Sequence, residues 1–113
     1  MANYLIMIYD SEAEWARADA SVAEEVRSQH VAFAKANGAA LRGGARLGDS
    51  ATATSIRRGG DGTTSLTDGA FAETKEVLAG YYVIEAGDLD EALEIAKQVP
   101  ARFGGVEVRP IIG

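Results

Sequence analysis

Tyr4-Leu5-Ile6-Met7-Ile8-Tyr9 is an unbroken apolar run closed by Asp10-Ser11. A short run without polar alternation reads as a strand covered on both faces, and such a strand belongs in the middle of a sheet. The rest of the chain must therefore supply a neighbour on each side and a covering layer. Leu78 to Ala86 reads as a second central strand, with Tyr82 and Ile84 on one face and Tyr81 and Val83 on the other. Gly80 within it marks a point where something approaches the backbone.

The segments between these strands carry helix and turn signals. Glu12 to Arg17 is a short helical turn anchored by Trp15. Asp19 or Ser21 then offers an N-cap, and Ser21-Val22-Ala23-Glu24 has capping-box spacing. Val22, Val26, His30 and Phe33 share one stripe of the helix that follows, while Glu24, Arg27 and Lys35 fall toward water. The one histidine of the chain thus points inward. Asn37-Gly38 is expected to close this helix through a left-handed glycine. Ala39 to Arg46 reads as a weak strand with a bulge or close approach at Gly43-Gly44.

Ala51 to Arg58 and Thr63 to Thr67 flank the turn-rich Gly59-Gly60-Asp61-Gly62, which predicts a hairpin near an edge or solvent. That glycine-rich loop lacks a Gly-Lys-Ser/Thr ending and precedes no helix, so it is no phosphate cradle. Asp88-Leu89-Asp90-Glu91 opens another helix, with Leu89, Ala92, Leu93 and Ala96 at helical spacing until Pro100. Val106 to Arg109 alternates as a last strand, and Pro110 places it at an edge or marks its end.

Strand, helix, hairpin strands, strand, helix, strand is the order of an α+β ferredoxin-like sandwich, an antiparallel sheet with two main helices on one face. The 113 residues, 47% of them hydrophobic, are enough for one domain with one modest core, spanning residues 1–113. Tyr81 and Val83 would leave the other sheet face apolar, and a second copy packing sheet to sheet, a dimeric α+β barrel, is its simplest cover.

A net charge of −6 with no cluster of Lys and Arg argues against direct contact with nucleic acid or anionic lipid. The absence of Cys rules out disulfides and thiolate metal sites and fits a reducing cytoplasm. The apolar run at Tyr4 to Tyr9 is too short to span a bilayer and lacks the positive flank of a signal peptide, so a soluble, unexported, cytoplasmic protein is expected. With a single His and no ligand-spaced acidic loop, neither a metal nor a cofactor is expected.

The densest polar chemistry beside a core strand lies in Asp68-Gly69-Ala70-Phe71, Glu73-Thr74-Lys75-Glu76 and Gly80-Tyr81-Tyr82. This stretch resembles the signature of the YCII-related proteins that carry the DGPF motif, with Ala70 where that motif has proline. The exchange releases φ and restores an N–H donor, which loosens the loop or gives it another hydrogen bond. The resemblance runs over nearly the whole chain and implies the same dimeric α+β barrel. It also implies an active site built from a histidine and an aspartate, here His30 and Asp68.

As a pair, the carboxylate would orient the ring and raise its pKa while burial lowers it, making a general base. The structural alternative is a core histidine with its nitrogens satisfied, and an Asp-Gly turn whose carboxylate caps its own downstream amides. Lys75 is a candidate to hold an anionic group and Glu73 to act as acid or base, against the alternative of a solvated charged turn. Tyr9, Phe71 and Tyr82 are candidate apolar walls of a small-molecule pocket. Arg102 and Arg109 offer bidentate carboxylate binding or surface ion pairs.

Two functions follow. One is a lyase- or isomerase-type enzyme in which His30 removes a proton from a small metabolite; YCII relatives linked to elimination chemistry on ring compounds point the same way. The alternative is a non-catalytic ligand-sensing accessory protein, as the resemblance to proteins found beside extracytoplasmic-function sigma factors implies.

Overall fold

The computed structural model describes residues 1–71 and 74–113. Strand β1 (Ala2–Asp10) is indeed central, flanked by β5 (Val77–Ala86) and β6 (Gly104–Pro110), with β2 (Leu41–Arg46) beyond β5. All neighbours in this four-stranded β2-β5-β1-β6 sheet are antiparallel. With α2 (Ala20–Ala36) and α3 (Leu89–Ala96) as its two main helices, the architecture is α+β and compatible with the ferredoxin-like arrangement. A short α1 (Glu12–Arg17) joins β1 to α2. The hairpin of β3 (Thr54–Arg58) and β4 (Thr64–Asp68) is a separate two-stranded sheet inserted between β2 and β5.

Register decides which side chains meet the helices. Directly opposed residues share a face, so the pairs Tyr4 with Ile84 and Ile6 with Tyr82 lie together, as do Ile8 with Val106 and Ile6 with Val108. Tyr4, Ile6, Ile8, Ile84 and Ala86 form the core with Phe33 of α2, with Ala92, Ile95 and Ala96 of α3, and with Val99. Ile6 and Ile84 lose all contact with solvent, a burial that contributes about 1.5–3 kcal/mol each. On the other face Leu5 opposes Val83 and Met7 opposes Tyr81, and all four are half-buried.

Local signals shaped the elements with three corrections. The box at the start of α3 forms: Asp88 Oδ1 accepts from Glu91 N–H at 2.9 Å, while Glu91 Oε2 accepts from Gly87 N–H at 2.8 Å. Leu89 and Leu93, expected on the buried face, stay 50% and 38% exposed, and Ile95 takes that role beside Ala92 and Ala96. Helix α2 starts at Ala20 with Asp19 in the cap position, so Ser21 sits inside the first turn and the expected box is not used. At its other end Gly38 is not left-handed; instead the Asn37 amide donates to the Phe33 carbonyl at 3.0 Å and to Gln98 Oε1 at 2.9 Å.

In the pairing of β2 with β5, two glycines meet close approaches. Gly80 lies where a Cβ would come within 3.0 Å of the Ala45 carbonyl oxygen, which accounts for the missing side chain in a central strand. Gly44, next to the bulge between Leu41 and Gly43, faces Tyr82, whose ring carbon would lie 2.7 Å from an added Cβ. At both positions the absent side chain lets the partner strand come close, with the Tyr82 ring lying against Gly44 and the Ala45 carbonyl against Gly80.

Candidate functional site

A cavity of about 750 Å³ is bounded by the sheet around Gly44 and Gly80, by the amino-terminal half of α2, by α1 and by the segment after β2. Helix α2 reaches full burial only at Phe33, near its end; Val22, Val26 and His30 are half-buried, and of these Val26 and His30 line the cavity together with Ala23 and Arg27. The stripe read from the sequence is thus real, with its first turns facing a hollow instead of packed side chains.

His30 is held from the sheet. Its Nδ1 lies 2.7 Å from the Tyr82 hydroxyl, and the Tyr82 ring is packed between the His30 ring at 5.8 Å and the Phe33 ring at 4.8 Å. Burial pushes the imidazole pKa down, and the charge of Asp10 offsets part of this. Burial also pushes the Tyr82 phenol up, so it remains neutral. A neutral hydroxyl can donate to Nδ1 or accept from it, so Tyr82 can partner the ring in either protonation state. With Nδ1 engaged, Nε2 is the nitrogen left for a ligand.

Asp10 is the carboxylate that senses the ring. It is 8% exposed at the end of β1, where Oδ2 accepts from Trp15 Nε1–H at 2.7 Å and Oδ1 accepts from Phe103 N–H at 2.8 Å. Trp15 packs edge-on against Phe103 at 5.1 Å. The network ties α1 and the turn before β6 to the strand end. Ser11 caps α1 by accepting from Glu14 N–H at 3.2 Å. At the rim, Glu12 accepts from Ser50 N–H at 2.7 Å and Ser50 Oγ–H at 2.6 Å, bonds that hold its carboxyl below the usual range. Arg27 and Arg46 also line the cavity.

The residues singled out in the sequence are not all gathered here. His30 and Tyr82 are together. Asp68 lies at the end of β4 in the exposed hairpin and does not line the cavity, so the His30–Asp68 pair is not formed within this chain. Gly69 beside it has φ of +96°, with its N–H on the Ala53 carbonyl at 2.7 Å and its carbonyl accepting from Ser55 Oγ–H at 2.6 Å. The motif here shapes a turn. Phe71 is 63% exposed with the Arg57 guanidinium over its ring at 4.6 Å, and Lys75 is exposed; neither borders the cavity. Glu73 lies outside the described residues.

Tyr9 lines a different, shallower recess with Glu76 and Glu107 on the far side of the sheet, and its hydroxyl approaches Met7 Sδ at 3.9 Å. Strand alternation separates it from Ile8 and Asp10, so it shares no wall with Tyr82. Arg102 and Arg109 form ion pairs with Glu25 and Glu107. Asp10 and Arg46 went unread as site residues, since in the sequence each marks only the end of a strand segment. Among the described residues no group of three or more His, Asp or Glu gathers to hold a metal, and no helix is long and apolar enough to cross a membrane.

Comparison with known proteins places this geometry in a family. The chain is 44% identical over 63 residues to an uncharacterised protein of Rhizobium meliloti; the match covers 53% of this chain and 51% of the relative, about half the length of each. The profile of the YCII-related domain matches residues 2–113, so the chain belongs to the YCII-related family.

Proposed function

We propose that the protein is a cytoplasmic small-molecule-binding homodimer of the DGPF subgroup, and that the cavity beneath α2 is a lyase- or isomerase-type site in which His30 exchanges a proton with the ligand. The observation that carries this reading is the placement of the single imidazole on a 750 Å³ hollow, with Tyr82 on Nδ1 and Nε2 left over. A ring whose pKa is lowered from the usual 6.5 is neutral at pH 7, as a base must be. Tyr82 supports both states of the ring, and Asp10 favours the protonated one. Asp68-Gly69-Ala70-Phe71 supports the subgroup. The half-covered Leu5, Met7, Tyr81 and Val83 support a second copy on the open face.

NMR titration of the His30 ring, with and without a library of small cyclic metabolites, tests the proposal. A ring that titrates and shifts with a ligand, followed by turnover that is lost in His30→Asn, is the expected result. Binding with unchanged turnover in His30→Asn would overturn the catalytic role. Binding without any turnover would leave a ligand sensor.

A further inference from the structure

We infer that the ligand of this cavity is a small planar or cyclic carboxylate, its anionic group held by Arg46 while its body lies in the hollow that Trp15, His30 and Tyr82 line. The inference rests on reading the cavity as a binding site and adds the chemical class of what enters.

Arg46 is directly opposite Gly80, and Gly44, two residues earlier on the same face, is opposite Tyr82. The arginine side chain therefore rises on the helix side of the sheet, where Gly44, Gly80 and Tyr82 line the cavity with it. The other charges around the cavity are largely engaged. Asp10 accepts two N–H groups, Glu12 accepts two hydrogen bonds from Ser50, and Arg27 is paired with Glu24. Among the described residues Arg46 has no acidic partner within ion-pair distance, although Asp49 lies on the same rim.

A guanidinium that forms no ion pair among the described residues and stands beside a partly enclosed hollow offers its charge to an anionic group that enters. Its planar fork matches a carboxylate through two parallel hydrogen bonds. A dianionic phosphate fits less well, since Asp10, Glu12 and Asp49 border the same space and one arginine neutralises only half its charge. The aromatic lining favours a flat body behind the anionic group.

Trp15 is the single tryptophan of the chain and lines the cavity, so the fluorescence signal comes from one site beside the ligand space. The probes are benzoate, benzamide and phenyl phosphate. Benzoate is expected to perturb Trp15 and the His30 ring, with benzamide and phenyl phosphate at least tenfold weaker, about 1.4 kcal/mol. Arg46→Gln should weaken benzoate at least tenfold and leave benzamide unchanged, whereas Arg58→Gln, in the exposed hairpin, should change neither. Arg46 is exposed, so an unaltered unfolding temperature is expected and confirms that the variant is folded. Equal binding of benzoate and benzamide, tighter binding of phenyl phosphate, or an Arg46→Gln protein that keeps its benzoate affinity would overturn the carboxylate assignment and leave the cavity as a binding site. If no probe reached Trp15 or His30, the assignment and the site would fall together.

Discussion

The Tyr82 hydroxyl meets His30 Nδ1 at 2.7 Å across 52 residues of sequence, joining the middle of β5 to the middle of α2 over the floor of the cavity. The pair gives the ring a fixed orientation. Tyr82→Phe keeps the packing against His30 and Phe33 but removes the hydrogen bond. We expect a stability loss of about 1 kcal/mol and, in nitrogen NMR of the ring, a change from one dominant tautomer to a mixture. Unchanged nitrogen shifts would show that the phenol does not set the tautomer.

The lowered pKa of His30 makes stability depend on pH with a definite sign. Between the folded value and the unfolded value near 6.5, the unfolded chain binds more protons, so stability rises with pH through that window. The contribution is complete above the unfolded pKa and is lost as pH falls through the folded one. Urea unfolding at a series of pH values should show this slope in the wild type and lose it in His30→Gln. A slope of equal size in the variant would assign it to other groups.

Asp10 connects fold stability to the charge on the ring. Its carboxylate accepts from Trp15 and from Phe103, and an amide in its place offers one oxygen to those two donors. Asp10→Asn should therefore destabilise by about 1–3 kcal/mol, the cost of leaving a buried donor unpaired. It should also lower the His30 pKa further, because the Asp10 charge is the influence that raises it. Thermal unfolding reads the first effect and proton NMR of the ring the second. A lowered melting temperature with an unmoved ring titration would show that Asp10 is structural only.

What could be read in advance followed chemistry local in sequence. The apolar runs named both central strands, the Asp88 to Glu91 pattern named a cap that forms, and the glycine tetrad placed the hairpin turn. The site depended on register instead. Tyr9 and Tyr82 looked like two walls of one pocket, yet Tyr82 opposes Ile6, so alternation along β1 sends Tyr9 to the other face. Asp68 and His30 were linked by resemblance, while the hairpin carrying Asp68 pairs only with itself. Period-two counting along Ile6, Ile8 and Asp10 was the signal available in the sequence for placing Asp10 on the helix side.

Asp68→Asn separates the motif from the cavity within one chain. Because Asp68 is exposed and absent from the cavity lining, the variant should leave the His30 titration midpoint unchanged in dilute, monomeric protein. A midpoint that moves only at concentrations where two copies associate would bring Asp68 of one copy to the histidine of the other. Movement at every concentration would contradict the placement of β4.

Gly104 is paired with Asp10 at the end of β1, with no room for a side chain between the two strands. An added Cβ would stand 2.0 Å from the Tyr9 carbonyl oxygen and 3.0 Å from the Asp10 Cα, contacts with backbone that no rotamer relieves. Gly104→Ala must push β6 away from β1, and we expect a cost of about 3 kcal/mol or more, which lowers Tm by more than about 10 °C in a chain of this size. The neighbouring Gly105 has nothing within 4 Å of such a Cβ, so Gly105→Ala should melt near the wild type and serves as the control. Because Phe103, adjacent to Gly104, donates its N–H to Asp10, the displaced strand should also weaken that bond and change the Trp15 fluorescence, whose indole shares the same carboxylate. Equal melting temperatures for the two alanine variants would mean that the sheet edge yields without strain and that the Asp10 network is not anchored through β6.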